Sequence, residues 1–267
     1  MVNKELQTAL VSRVGTQHIQ MNKGNQDAIK ARFVTCGKDT YTIIALADGH
    51  GADIHDLSAV GSKSAVSVTI SVLTAYIKQC SEFGFSALFD VIQEEVPSQI
   101  RRIWLRNIQE DANDRGEEFN LIRYGTTLIG AIFVNGEVLA FSIGDGNGII
   151  SSQDENTVLW WTEDCGHSNI TMSLCQPNSS ELFKFCRFSN VESLMLTTDG
   201  LVHIKDTPEM LSKFLDDVIL VLRNRGTEQA QRWIHNRLNE YQEFTFTDDI
   251  TIGIVDFCSK ESQMTSV

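Results

Sequence analysis

The chain has 267 residues, 42% of them hydrophobic, which is enough for one large core. Its 22 Lys and Arg stand against 35 Asp and Glu, a formal charge of −13, and the basic residues form no stripe, so nucleic acid and anionic membrane are poor partners. No stretch approaches the ~18–20 consecutive apolar residues of a membrane span, the first residues do not read as a signal peptide, and six dispersed cysteines contain no CxxC; a cytoplasmic chain with reduced thiols is expected.

In chain order, the first firm element is "YTIIALA", residues 41–47, an apolar run that predicts a strand buried on both faces and broken off by Asp48, Gly49, His50 and Gly51. Residues 57–80 and 84–109 read as helices, the second amphipathic, with Pro97 expected to kink or divide it. Next, two apolar runs are joined by Asn135 and Gly136, a pair suited to the positive φ of a type I′ turn. A third strand, "GIISS", follows Gly144–Gly148, and an antiparallel meander is predicted.

Residues 153–190 give no firm structure. Cys165, His167, Cys175 and Cys186 fall within them, but their spacing fits no zinc-ligand pattern, so buried thiols are the better reading. Strands are predicted over 193–200 and 249–257, and helices over 208–223 and 227–241. Segregated helices and antiparallel strands predict an α+β domain spanning 1–267, with a core from about 10 to 257 and a flexible tail over 258–267. Its centre is an antiparallel β-sandwich flanked by helix pairs.

Acidic residues recur beside small or turn residues: Asp27 in "GNQDA", Asp48 in "ADGHG", Asp145 in "GDGNG", Asp199 in "TTDGL", Asp248 and Asp249 in "FTDDIT". One Asp-Gly is an ordinary solvated turn. Several at the ends of core strands would meet at one rim and repel, unless a divalent cation neutralises them. All-oxygen donors suit Mg²⁺ or Mn²⁺.

The motifs "NQDA", "ALADGHGAD", "YGTTL", "IGDGNG", "LTTDGL" and "FTDDITI" resemble, in order and spacing, those of the metal-dependent type 2C (PPM) Ser/Thr protein phosphatases, in a compact bacterial-type form. The resemblance implies a four-layer αββα fold and hydrolysis of phosphoserine or phosphothreonine by water activated between two Mg²⁺ or Mn²⁺ ions, with a weaker third ion in some members. It implies Asp48 as bridging ligand, the Gly49 carbonyl as backbone ligand, and Asp199 and Asp248 as the other carboxylates of the second metal. Asp27 matches an acid that binds metal-coordinated water, and Asp145 an acid that helps hold the third ion. His50 matches a histidine proposed to protonate the leaving alkoxide, a role that also suits an imidazole beside a phosphoester.

Three departures stand out. Asn22 occupies the place of the family's phosphate-binding arginine, with Lys23 and His18 as candidate substitutes; Gln26 replaces a glutamate; Asn147 replaces the arginine of "GDSR". A phosphoprotein substrate, a cognate kinase and a monomeric state are expected. A phosphatase of small phosphomonoesters and a non-catalytic phosphatase-like binding module remain alternatives.

Overall fold

The computed structural model describes residues 5–152, 156–160, 171–202, 204–205, 207–242 and 247–258. In chain order the elements are β1 (Glu5–Arg13), α1 (Thr16–Gln20), β2 (Ala28–Cys36), β3 (Asp39–Ala47), α2 (Ser58–Cys80), α3 (Phe85–Arg115), β4 (Leu128–Val134) and β5 (Glu137–Ile143). Then come β6 (Asn147–Ser152), β7 (Asn156–Trp160), β8 (Lys184–Phe188), β9 (Val191–Thr197), α4 (Asp199–Val202), α5 (Pro208–Arg225), α6 (Thr227–Gln242) and β10 (Ile250–Cys258). They build two five-stranded sheets, ordered β2-β3-β4-β5-β8 and β1-β10-β9-β6-β7, with antiparallel neighbours throughout.

Strand alternation explains why "YTIIALA" is buried on both sides. Ile43, Ala45 and Ala47 pack toward α2 and α3, while Ile44 and Leu46 join Ile129, Phe133, Leu194 and Leu196 between the sheets. On the opposite outer face, α5 and α6 bury Leu211, Leu215, Ile234 and Leu238 against Ile250, Ile252 and Ile254 of β10. The order is helices, sheet, sheet, helices, as expected.

Helix α2 is long and apolar enough in one window to cross a membrane, but 61% of that window is buried, and its apolar side chains belong to the core beneath α3. Pro97 does not divide α3. The stripe Leu88, Ile92, Val96, Ile100, Trp104 and Ile108 is buried along its length. At ~1.5–3 kcal/mol for each large apolar side chain, that burial outweighs the ~3 kcal/mol cost of an interior proline.

The Asn135–Gly136 hairpin forms with φ of 51° and 85°, as its sequence predicts. The meander does not. β5 pairs with β8, whereas β6 leaves for the other sheet and pairs with β7 and β9. Gly144, at φ 104°, begins this crossing in a backbone region closed to most side chains. The strand expected over 193–200 is β9, ending at Thr197, and Asp199 and Gly200 open the short helix α4. Strand β8 arises inside 153–190, where no element was legible. Cys165, His167 and the tail from 259 lie outside the described residues.

Candidate metal centre

Sheet register places the acidic residues together. Ala28 pairs with Ala47, Leu128 with Ile143, and Thr197 with both Ile252 and Asn147, so Asp27, Asp48, Asp145, Asp199, Asp248 and Asp249 leave their strands at one rim of the sandwich. The backbone of Asp48 is fixed there from both sides. Its N–H donates to Thr127 Oγ1 (3.1 Å), while its carbonyl accepts from Thr126 Oγ1 (2.8 Å) and the Thr127 N–H (2.9 Å).

Gly49 faces Thr126 as an isolated antiparallel bridge. The flanking bonds, Thr127 N–H to Asp48 and His50 N–H to Gly125 (3.1 Å), do not use the Gly49 carbonyl. A Cβ at Gly49 would stand 2.6 Å from the Gln26 carbonyl oxygen, so the turn that presents this carbonyl requires glycine.

Asp27 is buried and accepts from Thr198 Oγ1 at its Oδ2 (2.9 Å); its buried Oδ1 has no hydrogen-bond partner among the described residues. Burial, then the charges of Asp249 and Asp199, push its carboxyl well above the usual range. Asp48 is pushed up by burial first, then by Asp27, Asp199 and Asp145. Asp248, half-exposed, is also raised by burial and Asp199, against the opposing pull of the Asp249 N–H and His18. Asp145 accepts from Thr171 Oγ1 (2.9 Å). Buried and half-buried carboxylates that repel one another, with an orphaned oxygen on Asp27, fit a hard divalent cation. Asp48, Asp27, Asp145, Asp199 and Asp248 thus share one rim, close enough for their charges to act on one another.

His50 lies beside this rim. Its ring centroid is 4.9 Å from that of His55, and both rings close over Gly125, where a Cβ would come within 2.7 Å of His50 Cδ2 and 2.6 Å of His55 Nδ1. Burial and the neighbouring His55 pull the His50 pKa down to about 4 despite Asp199, so the ring is neutral at neutral pH in the metal-free protein. A cavity of about 350 Å³ opens at His50, lined also by His55, Thr171, Ser173 and Cys175.

The candidate substrate-binding residues fall in different places. Lys23 reaches the rim, where its Nζ donates to the Gly51 carbonyl and to Asp53 Oδ1, both at 2.9 Å. His18 does not line an open groove: it is 3% exposed, with Nδ1 2.9 Å from Asp249 Oδ1 and Nε2 3.5 Å from Asp248 Oδ1. Asn147, where an arginine was expected, is buried and turns its Nδ2 back to the Asp145 carbonyl (2.7 Å).

Residues that sequence reasoning left without a role include Asp249, whose oxygens each accept a backbone N–H at 2.7 Å, from Gly15 and Gln26. The only signal was the Asp-Asp doublet before an apolar strand. His55, Thr126 and Thr198 had none beyond lying in or near a motif. Among the described residues, only His18, Asp248 and Asp249 gather three metal-type donor groups within 4.8 Å, so Cys175 and Cys186, both free thiols, build no such cluster.

Two face-to-face antiparallel sheets between helix layers define an αββα fold, and its rim of buried and half-buried carboxylates suits a divalent cation. A family model described as Protein phosphatase 2C matches residues 14–239, and the chain belongs to that family of metal-dependent serine/threonine protein phosphatases. No curated protein matches the sequence.

Solved structures share the fold. A bacterial serine phosphatase aligns at 14% identity and a TM-score of 0.63 over 97% of this chain and 100% of its own. The serine/threonine phosphatase of S. agalactiae aligns at 21% identity and 0.56, over 95% and 100%. The catalytic domain of the phosphatase PstP, solved with two manganese ions, aligns at 15% and 0.52, over 94% and 97%.

Proposed function

We propose that the chain hydrolyses phosphoserine and phosphothreonine in protein substrates, with two divalent cations, Mg²⁺ or Mn²⁺, held by Asp48, the Gly49 carbonyl, Asp199 and Asp248. Asp27 would bind metal-coordinated water, and Asp145 would help hold a weaker third ion. The observation that carries this reading is the set of buried and half-buried carboxylates that raise one another's pKa at one rim. Such an arrangement destabilises the fold unless a cation joins it. Bound there, the cations supply Lewis acidity toward the phosphoester and toward water.

The chain's own residues do the rest. Thr126 and Thr127 lock the Asp48 backbone so that its carboxylate keeps a fixed direction. The cavity beside His50 offers room for the residue that carries the phosphate. His50, which borders this cavity, would protonate the departing alkoxide, taking up its proton as the dianionic ester binds beside it. Lys23 stands at the edge of the rim, where its ammonium adds positive charge near an incoming phosphate.

The test is phosphate release from a phosphothreonine peptide with Mn²⁺ or Mg²⁺, compared with Asp48→Asn and Asp199→Asn. Each variant should lose about 10²–10³-fold or more. Protein that takes up Mn²⁺ yet releases no phosphate from any phosphopeptide would overturn the reading. His50→Ala should slow the peptide by about 10²-fold while hardly affecting an activated aryl phosphate, whose leaving group needs no proton. Equal losses on both substrates would remove His50 from the acid role.

A further inference from the structure

His18 is an imidazole set among carboxylates at the rim, and none of the roles above uses it. Its two ring nitrogens face two different aspartates: Nδ1 is 2.9 Å from Asp249 Oδ1, and Nε2 is 3.5 Å from Asp248 Oδ1. We propose that His18 is itself a metal ligand, binding a cation through Nε2 alongside Asp248. It thereby gives an otherwise all-oxygen centre a nitrogen donor and a preference for Mn²⁺ over Mg²⁺. The inference rests on the phosphatase reading in taking Asp248 as a ligand.

The tautomer follows from Asp249. Backbone N–H groups of Gly15 and Gln26 each donate to one of its oxygens at 2.7 Å, so this carboxylate is immobile and acts only as an acceptor. His18 Nδ1 lies 2.9 Å from this carboxylate but outside hydrogen-bond geometry, so the negative charge favours the ring proton on Nδ1 and leaves the lone pair to Nε2. An imidazole whose far ring nitrogen faces a carboxylate resembles the usual arrangement of a metal-binding histidine. Asp249, although grouped with His18 and Asp248 within 4.8 Å, has its oxygens engaged and serves as the orienting partner.

The spacing of Nε2 and Asp248 points the same way. A lone pair 3.5 Å from a carboxylate oxygen is repulsive with nothing between them. Two donors each ~2.1 Å from one cation stand roughly 3.0–3.5 Å apart. A second observation is independent of the ring. Gln26 is 8% exposed, and its Oε1 is buried without a hydrogen-bond partner among the described residues. A Cβ on Gly51 would lie 3.3 Å from His18 Nε2 and 3.8 Å from Gln26 Oε1, so the unpartnered oxygen and the ring nitrogen border the same space. An imidazole nitrogen raises affinity for later divalent transition ions and adds little for Mg²⁺.

The competing arrangement is a doubly protonated ring bridging Asp248 and Asp249 as an ion pair, which would oppose a cation at Asp248. Electron spin-echo spectroscopy of the Mn²⁺-loaded wild-type protein separates the two. The expected result is a ¹⁴N coupling from imidazole that changes to the ¹⁵N pattern in protein grown with ¹⁵N-histidine. It should persist in His50→Gln and vanish in His18→Gln, where the ratio of Mn²⁺ to Mg²⁺ affinity should also fall about tenfold.

The measurements on wild type and His50→Gln do not depend on the folding of His18→Gln. Full Mn²⁺ occupancy without histidine-nitrogen coupling, or a coupling lost in His50→Gln, overturns the proposal. If such a preparation still releases phosphate, the phosphatase reading stands without it. Absence of Mn²⁺ binding overturns both.

Discussion

Strand β10 carries buried acid at both of its ends, under opposite conditions. At one end Asp256 is 0% exposed, and its two oxygens accept from the Arg223 guanidinium at 2.9 and 2.7 Å. At the other, the strand begins beside Asp248 and Asp249 at the rim where Asp27 and Asp48 press their charges on one another. A fold that only has to close upon itself supplies its own counter-charge, as Arg223 does. A fold that leaves carboxylates facing one another has reserved the counter-charge for something that binds, at a cost to its own stability.

The comparison can be broken most sharply by removing the guanidinium. Arg223→Ala strands a buried carboxylate and should cost about 2–3 kcal/mol, less than the ~3–5 kcal/mol of a fully buried pair because Arg223 is 33% exposed. Thermal melts should drop by roughly 5–10 °C, with the Mn²⁺-dependent stabilisation unchanged. A loss confined to metal binding would mean that the two ends are coupled.

Neutralising the rim should act in the opposite direction. Asp48→Asn removes a carboxylate that the metal-free fold keeps only protonated or repelled, and should stabilise it by about 1–2 kcal/mol, read as a melt raised by a few degrees. The same variant should lose the stabilisation that Mn²⁺ confers on wild type. A metal-free Asp48→Asn that melts below wild type would show that the carboxylate is satisfied by the protein itself.

The smallest effect is the pH dependence of that difference. In the metal-free fold Asp27 and Asp48 hold protons that the unfolded chain releases above about pH 4, so the wild type loses stability as pH climbs through the raised range. His50 acts in the opposite sense. With its pKa pulled down to about 4, it costs stability as pH falls below its ordinary 6.5, because the unfolded chain takes the proton first. Its contribution largely cancels when wild type is compared with Asp48→Asn. The gap between them should be near zero at about pH 4.5 and widen by about pH 8. A gap independent of pH would mean that Asp48 does not titrate differently in the fold.

Much of the site was legible because the chemistry demanded rare local sequence. An apolar strand cut off by Asp48-Gly49 is conspicuous, and so are "TTDG" and "TDDIT" beside apolar runs. The hairpin at Asn135–Gly136 was legible for the same reason: positive φ at two successive residues restricts composition. His18 and Asp249 were not legible as a pair. They meet only because β1 and β10 lie side by side, with Arg13 opposite Ile250 and α1 following directly. The departure of β6 was equally hidden, since an apolar run of its length suits either sheet.

The sequence by itself determined the kinds of element, the acidic residues that end the strands, and the resemblance that foretold a metal-dependent phosphatase. Tertiary structure alone decided which strands share a sheet and which carboxylates share a burial. It set Arg223 against Asp256, put His18 beneath the rim instead of in the groove, and brought His55 against His50. Alternation, turns and caps are local and leave their mark within a few residues. Charges that repel or pair across tens to hundreds of residues of chain act only once the sheets have closed, and no local pattern records them.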